Sequence, residues 1–179
     1  MDQRGGPRAG RRGPAGGGPG RRALTRLAPT GPGSGRIRLT TVLGAPPDRV
    51  WADLQDIASH VEWMHDAEAI RFTSLSREGV GTTFDCVTRV GPVRLVDRME
   101  VTEWRPGRSL GIRHVGLVTG HGRFTLRRLR RGRTRFTWEE RLVFPWWMGG
   151  RLGALAAKPL LRRIWRRNLD NLGRRFEPR

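Results

Sequence analysis

Thr134-Arg-Phe-Thr-Trp-Glu-Glu-Arg-Leu-Val-Phe144 alternates with a period of two. Arg135, Thr137, Glu139 and Arg141 form one set; Phe136, Trp138, Leu142 and Phe144 form the other. This is the pattern of a strand with one wet face and one buried face. Glu140 interrupts the apolar set. A carboxylate turned inward costs several kcal/mol (roughly 2–7 for an unpaired polar group, more for a charge) unless it is paired or wetted. The inner face is therefore expected to be the wall of a cavity rather than a solid core.

Upstream of this strand the same period recurs between Gly- and Pro-bearing breaks. Strands are predicted at Arg36–Leu43, Ile70–Leu75, Gly81–Val90, Val93–Trp104, Ser109–Val118 and His121–Leu129, with Arg133–Phe144 as the seventh. The breaks at Gly91-Pro92, Arg105-Pro-Gly-Arg108, Gly120 and Arg131-Gly-Arg133 are short, so sequential strands should pair antiparallel. Between the first two strands, Pro47-Asp48 opens a helix with Val50, Trp51 and Leu54 on one stripe, and Ile57, Val61 and Met64 form a second short helix. Downstream, Pro145 ends the sheet. A long amphipathic helix beginning at Trp146-Trp-Met-Gly-Gly150 carries two apolar stripes on one side, Leu152, Leu155 and Ala156 and then Leu161, Ile164, Trp165, Leu169 and Leu172. Arg162, Arg163, Arg166, Arg167 and Arg174 lie on the other. Pro159 is expected to kink or restart it. Its apolar side needs the inner face of the sheet.

Residues 1–35 are built from Gly, Arg and Pro and are expected to be a disordered tail, leaving 36–179 as one domain. The net charge is +19, of which the tail carries +6, so the domain is itself basic and attracts anionic partners. All cations but Lys158 are arginine, a skew that also arises from coding bias. Cys86 is the single cysteine, which excludes an internal disulfide and fits a reducing cytoplasm. No run reaches the roughly 18–20 apolar residues of a membrane span, and the Arg11-Arg12 and Arg21-Arg22 pairs lack the apolar region of an export signal. His60 and His65 lack zinc spacing, and no nucleotide or hydrolase motif occurs, so neither metal nor cofactor is expected.

The order of strand, two short helices, six antiparallel strands and long final helix resembles the helix-grip fold of the START-like (SRPBCC) superfamily, the polyketide cyclase/dehydrase and lipid-transport group. Local patterns carry the resemblance: Ala45-Pro-Pro-Asp-Arg-Val-Trp51, the segment Ile57 to Trp63-Met64, Gly79-Val-Gly-Thr-Thr83, Glu103-Trp-Arg-Pro-Gly107 and Gly132-Arg-Thr-Arg-Phe-Thr-Trp138. It spans about residues 36–176. It implies an α+β architecture in which a seven-stranded curved antiparallel sheet wraps around the C-terminal helix and holds an apolar ligand between them. It also implies a position for Trp63 at the cavity entrance, and with it a candidate gating role.

Strand parity places Phe84, Met99, Ile112, Phe124 and Trp138 on the inner face as ligand contacts, with Asp97, His114 and Glu140 as polar intruders. A simple register pairs Trp104 with Ser109 and Met99 with His114, and sets Phe124 opposite Glu140. His114 and Glu140 would then stand two strand spacings apart, roughly 9–10 Å between backbones. Competing readings give Asp97 to Arg94 or Arg98, Glu140 to an arginine of the final helix, and Cys86 to apolar filling.

Three functions compete. The leading one is binding of a lipid- or polyketide-like small molecule. The second is a polyketide cyclase/dehydratase in which His114 shuttles protons and Glu140 or Asp97 assists. The third is electrostatic attachment of the basic surface to membrane or nucleic acid.

Overall fold

The computed structural model describes residues 36–177; the expected tail at 1–35 lies outside them. The alternating stretches form β1 (Arg36–Leu43), β2 (Ala67–Phe72), β3 (Thr83–Val90), β4 (Val93–Arg105), β5 (Ser109–Val115), β6 (Thr119–Arg128) and β7 (Thr134–Val143). They make one antiparallel sheet in the order β1-β7-β6-β5-β4-β3-β2. The first strand thus pairs with the last, and the hairpin chain runs outward from there. Helix α1 (Pro47–Leu54) and a 3-10 segment (Ile57–Glu62) follow β1. They bury Val50, Trp51, Leu54 and Ile57 against the sheet's core.

Helix α2 (Gly150–Arg174) lies across the inner face. Trp165 stacks on Trp138 with centroids 5.2 Å apart and planes at 25°, and Leu169, Leu172 and Phe176 join the core. Polar ties fix the same end. Asn168 donates to Asp66 Oδ1 (2.6 Å) and accepts from the His65 backbone N–H (2.9 Å). Asn171 donates to the Trp63 carbonyl (3.0 Å). Arg175 reaches Asp53 and Glu62, both at 2.6 Å.

Several boundaries differ from expectation. β2 starts and ends three residues early, because Ser74 is drawn into hydrogen bonds with Thr83 and Ser76 and Leu75 stands fully exposed. Trp146–Met148 is a separate 3-10 turn, since Gly149 at φ 84° breaks the chain before α2 begins. Pro159 neither restarts nor interrupts α2; it lies on the exposed side, where the carbonyl it leaves unpaired can be hydrated.

Register differs at two places. A bulge between Val101 and Glu103 pairs Trp104 with Leu110, not Ser109, yet Met99 still faces His114 as expected. In the last hairpin the turn centres on Arg131, which takes φ 59°. This shifts the pairing by two residues, so Phe124 faces Trp138 and Gly122 faces Glu140.

Candidate functional site

Between the sheet and α2 lies a cavity of about 410 Å³ with an overwhelmingly apolar wall. Phe84, Met99, Ile112, Phe124 and Trp138 all line it, as do Asp97, His114 and Glu140. Trp63 does not. It is 1% exposed and packed behind the wall against His60, Phe124 and Trp138, so it is a core residue rather than an entrance gate.

The three polar intruders form one connected group. His114 Nδ1 bonds Asp97 Oδ2 on the neighbouring strand β4. On the other side, His114 Nε2 reaches across β6 to Glu140 Oε1 at 2.6 Å. Trp138 Nε1 donates to the second oxygen, Oε2, at 2.8 Å. The expected partners of Asp97 are engaged elsewhere: Arg94 pairs with Glu68 and Arg98 with Asp85. Glu140 is answered by His114 and Trp138 rather than by an arginine of α2.

This contact across a whole strand depends on β6 having no side chain at the crossing. A Cβ on Gly122 would sit 2.7 and 2.8 Å from the Glu140 carboxylate oxygens and 2.9 Å from Ile112. Gly120, opposite His114, has φ +154° and a Cβ there would lie 1.9 Å from the Arg141 carbonyl oxygen.

Geometry also assigns the proton. A neutral imidazole has one N–H, whereas both ring nitrogens here meet carboxylates, which only accept when ionised. The ring is therefore an imidazolium donating on both sides. Burial alone would lower its pKa, but the hydrogen bonds and charges of Asp97 and Glu140 outweigh it and push the value up to about 10. Asp97 Oδ1 is buried and has no hydrogen-bond partner. The wall thus holds a clamped cation, with one unsatisfied acceptor sealed beside it.

A second histidine on the wall was missed from sequence. His60 lines the cavity, is buried, and donates Nε2–H to the Leu54 carbonyl at 2.8 Å. Burial lowers its pKa to about 4 despite that bond. Its signal was present: it falls three residues from Ile57 on the stripe that continues to Met64. Asp66, also on the wall, became visible only through its tie to Asn168. Cys86 is a buried filler, its thiol pushed up to about 11 by burial.

A curved antiparallel sheet gripping a long C-terminal helix around an apolar cavity is the START-like helix-grip fold. The sequence profile of the polyketide cyclase/dehydrase and lipid transport family matches residues 34–177, and the chain belongs to that family. Solved structures agree on the fold. The Zhui aromatase/cyclase from Streptomyces sp. R1128 is 17% identical, with a TM-score of 0.64 over 76% of this chain and 90% of that one. A protein from Thermus thermophilus is 20% identical, with a TM-score of 0.63 over 79% and 96%. A hypothetical protein from Helicobacter pylori is 15% identical, with a TM-score of 0.65 over 81% and 89%. At these identities the likeness establishes architecture. No curated protein shows a significant sequence match.

Proposed function

We propose that this protein binds a lipid- or polyketide-like small molecule between its sheet and α2. The observation that carries the reading is the apolar cavity of about 410 Å³ broken by Asp97, His114 and Glu140, a size and makeup suited to a small ligand (roughly 300–1,000 Å³). The His114 imidazolium held between Asp97 and Glu140 gives the apolar wall one polar spot, which suits a ligand with a polar group on an otherwise apolar frame. A free fatty carboxylate would instead bring negative charge beside Asp97 and Glu140. Mass spectrometry of molecules extracted from protein purified from its native host should find such a compound. Ile112→Trp, which fills the cavity, should weaken binding of an apolar fluorescent probe by at least about tenfold. Unchanged probe affinity in that variant, with nothing co-purifying, would reject the reading.

The clamped imidazolium supports a second reading, cyclisation and dehydration of a poly-β-keto chain. An imidazolium is an acid, so His114 would protonate a departing hydroxyl while a neighbouring carboxylate takes the proton from the adjacent carbon. The carbon–oxygen and carbon–hydrogen bonds break, a carbon–carbon double bond forms, and water leaves. Return of the proton from Asp97 or Glu140 to the ring through their hydrogen bonds restores the starting state. On this reading His114→Gln abolishes product formation from a poly-β-keto substrate while ligand binding survives; equal turnover would remove His114 from the chemistry.

A further inference from the structure

The open end of the cavity carries features that ligand binding does not require. β3 and β4 meet at Val90 and Val93, β5 and β6 at Val115 and Thr119, and β7 ends beside Thr119 at Val143. With the β4–β5 pairing, these register pairs put two hairpins and the end of β7, five strand ends in all, on one edge of the sheet. Val93, Val96, Leu117 and Leu160 are exposed to solvent and at the same time line the cavity, so the cavity opens there. Directly after β7 stand Trp146 and Trp147, 83% and 60% exposed and packed edge to face at 6.0 Å. On the first turns of α2, Leu152 (78% exposed) and Leu155 also face solvent. Phe144 and Met148, on either side of the two tryptophans in the chain, line the cavity, so the tryptophans stand beside the opening, and with these aliphatic side chains they are exposed apolar groups of the kind that marks an interaction surface.

Its charge selects the partner. Residues 141–169 contain seven Arg and Lys residues and no Asp or Glu. Arg162, Arg163, Arg166 and Arg167 are exposed, and among the described residues none of these four forms an ion pair with a carboxylate. Tryptophans are at home at the headgroup boundary of a bilayer, with their rings in the apolar layer and their N–H groups wetted. Cations on the flank of the same segment are drawn to acidic headgroups within a Debye length. A protein partner would need complementary shape and buried hydrogen bonds; a lipid surface needs only apolar protrusions flanked by positive charge.

We infer that the rim formed by Trp146, Trp147, Leu152 and Leu155, flanked by the α2 arginines, is a docking surface for an anionic lipid bilayer and turns the cavity mouth toward it. The inference goes beyond ligand binding and stands or falls separately from it. The full chain is sedimented with vesicles of phosphatidylcholine alone and with vesicles containing about one-third phosphatidylglycerol, at about 0.1 M salt. Binding is expected to the anionic vesicles only, with quenching of tryptophan emission by bromolipids. Trp146→Ser combined with Trp147→Ser should lose about tenfold in vesicle affinity and most of the quenching, and Leu152→Ser with Leu155→Ser should act in the same direction. All four residues are on the surface, so the variants' thermal unfolding serves as the check on folding. The basic segment 1–35 remains in every variant. If the tryptophan variant binds as tightly as the native chain, charge elsewhere does the binding and the inference is wrong. If native protein ignores anionic vesicles and sediments as a dimer that the tryptophan variant abolishes, the patch belongs to a second copy of the chain instead.

Discussion

Glu140 shows how much depends on a single side chain. Its two oxygens are divided between His114 and Trp138, so it orients the imidazolium and ties β7 to β5 across the strand between them. Glu140→Gln keeps the shape but removes the charge. The His114 pKa is then expected to fall from about 10, read by NMR titration of the imidazole; an unchanged value would mean that Asp97 alone holds the proton. Gly122→Ala attacks the same link from the opposite strand. The new Cβ would lie 2.7 Å from a carboxylate held by two partners, so the cost should be about 1–3 kcal/mol in urea unfolding, with a lower His114 pKa alongside. The sequence displayed Asp97, His114 and Glu140 as polar residues on apolar strand faces, which strand parity alone detects. It allowed long side chains at His114 and Glu140 to approach across one strand, but not the hydrogen bonds that join all three. The crossing requires a two-residue register set by the left-handed conformation of Arg131, an arginine with no compositional preference for that geometry.

Among the elements, the strands were the most legible because alternation and Gly/Pro punctuation agree at nearly every hairpin. The helices were read less well. Pro159 is expected to kink or restart the helix, but α2 runs through it, with the proline on the exposed side where the freed carbonyl can be hydrated, and nothing local to the proline reveals which side that is. The polar seam that fastens α2 was also hidden, because Asn168 and Asp66 are far apart in sequence and meet only in the fold. Asn168 is fully buried. Asn168→Ala strips the partner from Asp66 and from the His65 N–H, and should cost about 1–3 kcal/mol. Chemical denaturation measures this, and a change below about 0.5 kcal/mol would show that water replaces the amide.

At the scale of the molecule, two buried histidines with opposite shifts set the pH dependence of stability. His114, flanked by Asp97 and Glu140, is raised from 6.5 to about 10 in the folded state. Between those values the native chain holds a proton that the unfolded chain has lost, so this contribution is complete below pH 6.5 and disappears as pH rises toward 10. His60, near Asp53, Asp56 and Arg175, is lowered from 6.5 to about 4. There the unfolded chain binds the extra proton, so this contribution is complete above 6.5 and erodes as pH falls toward 4. Thermal unfolding across pH should accordingly show a maximum near 6.5, with the alkaline limb flattened in His114→Gln and the acid limb flattened in His60→Gln. A profile identical to the native one in His114→Gln would contradict the clamped imidazolium.

The uneven fastening of α2 has a further result. Trp165, Asn168, Leu169, Leu172 and Arg175 secure the C-terminal half, whereas Ala154 is the one buried residue before Trp165 among the described positions of the helix. Pro159 also withdraws a backbone donor from the middle. Local opening of the first half therefore breaks few apolar contacts and leaves the sheet intact. Amide exchange should be fast from Arg151 to Arg163 and approach the global unfolding limit from Trp165 to Leu172, so that one continuous helix reports two stabilities.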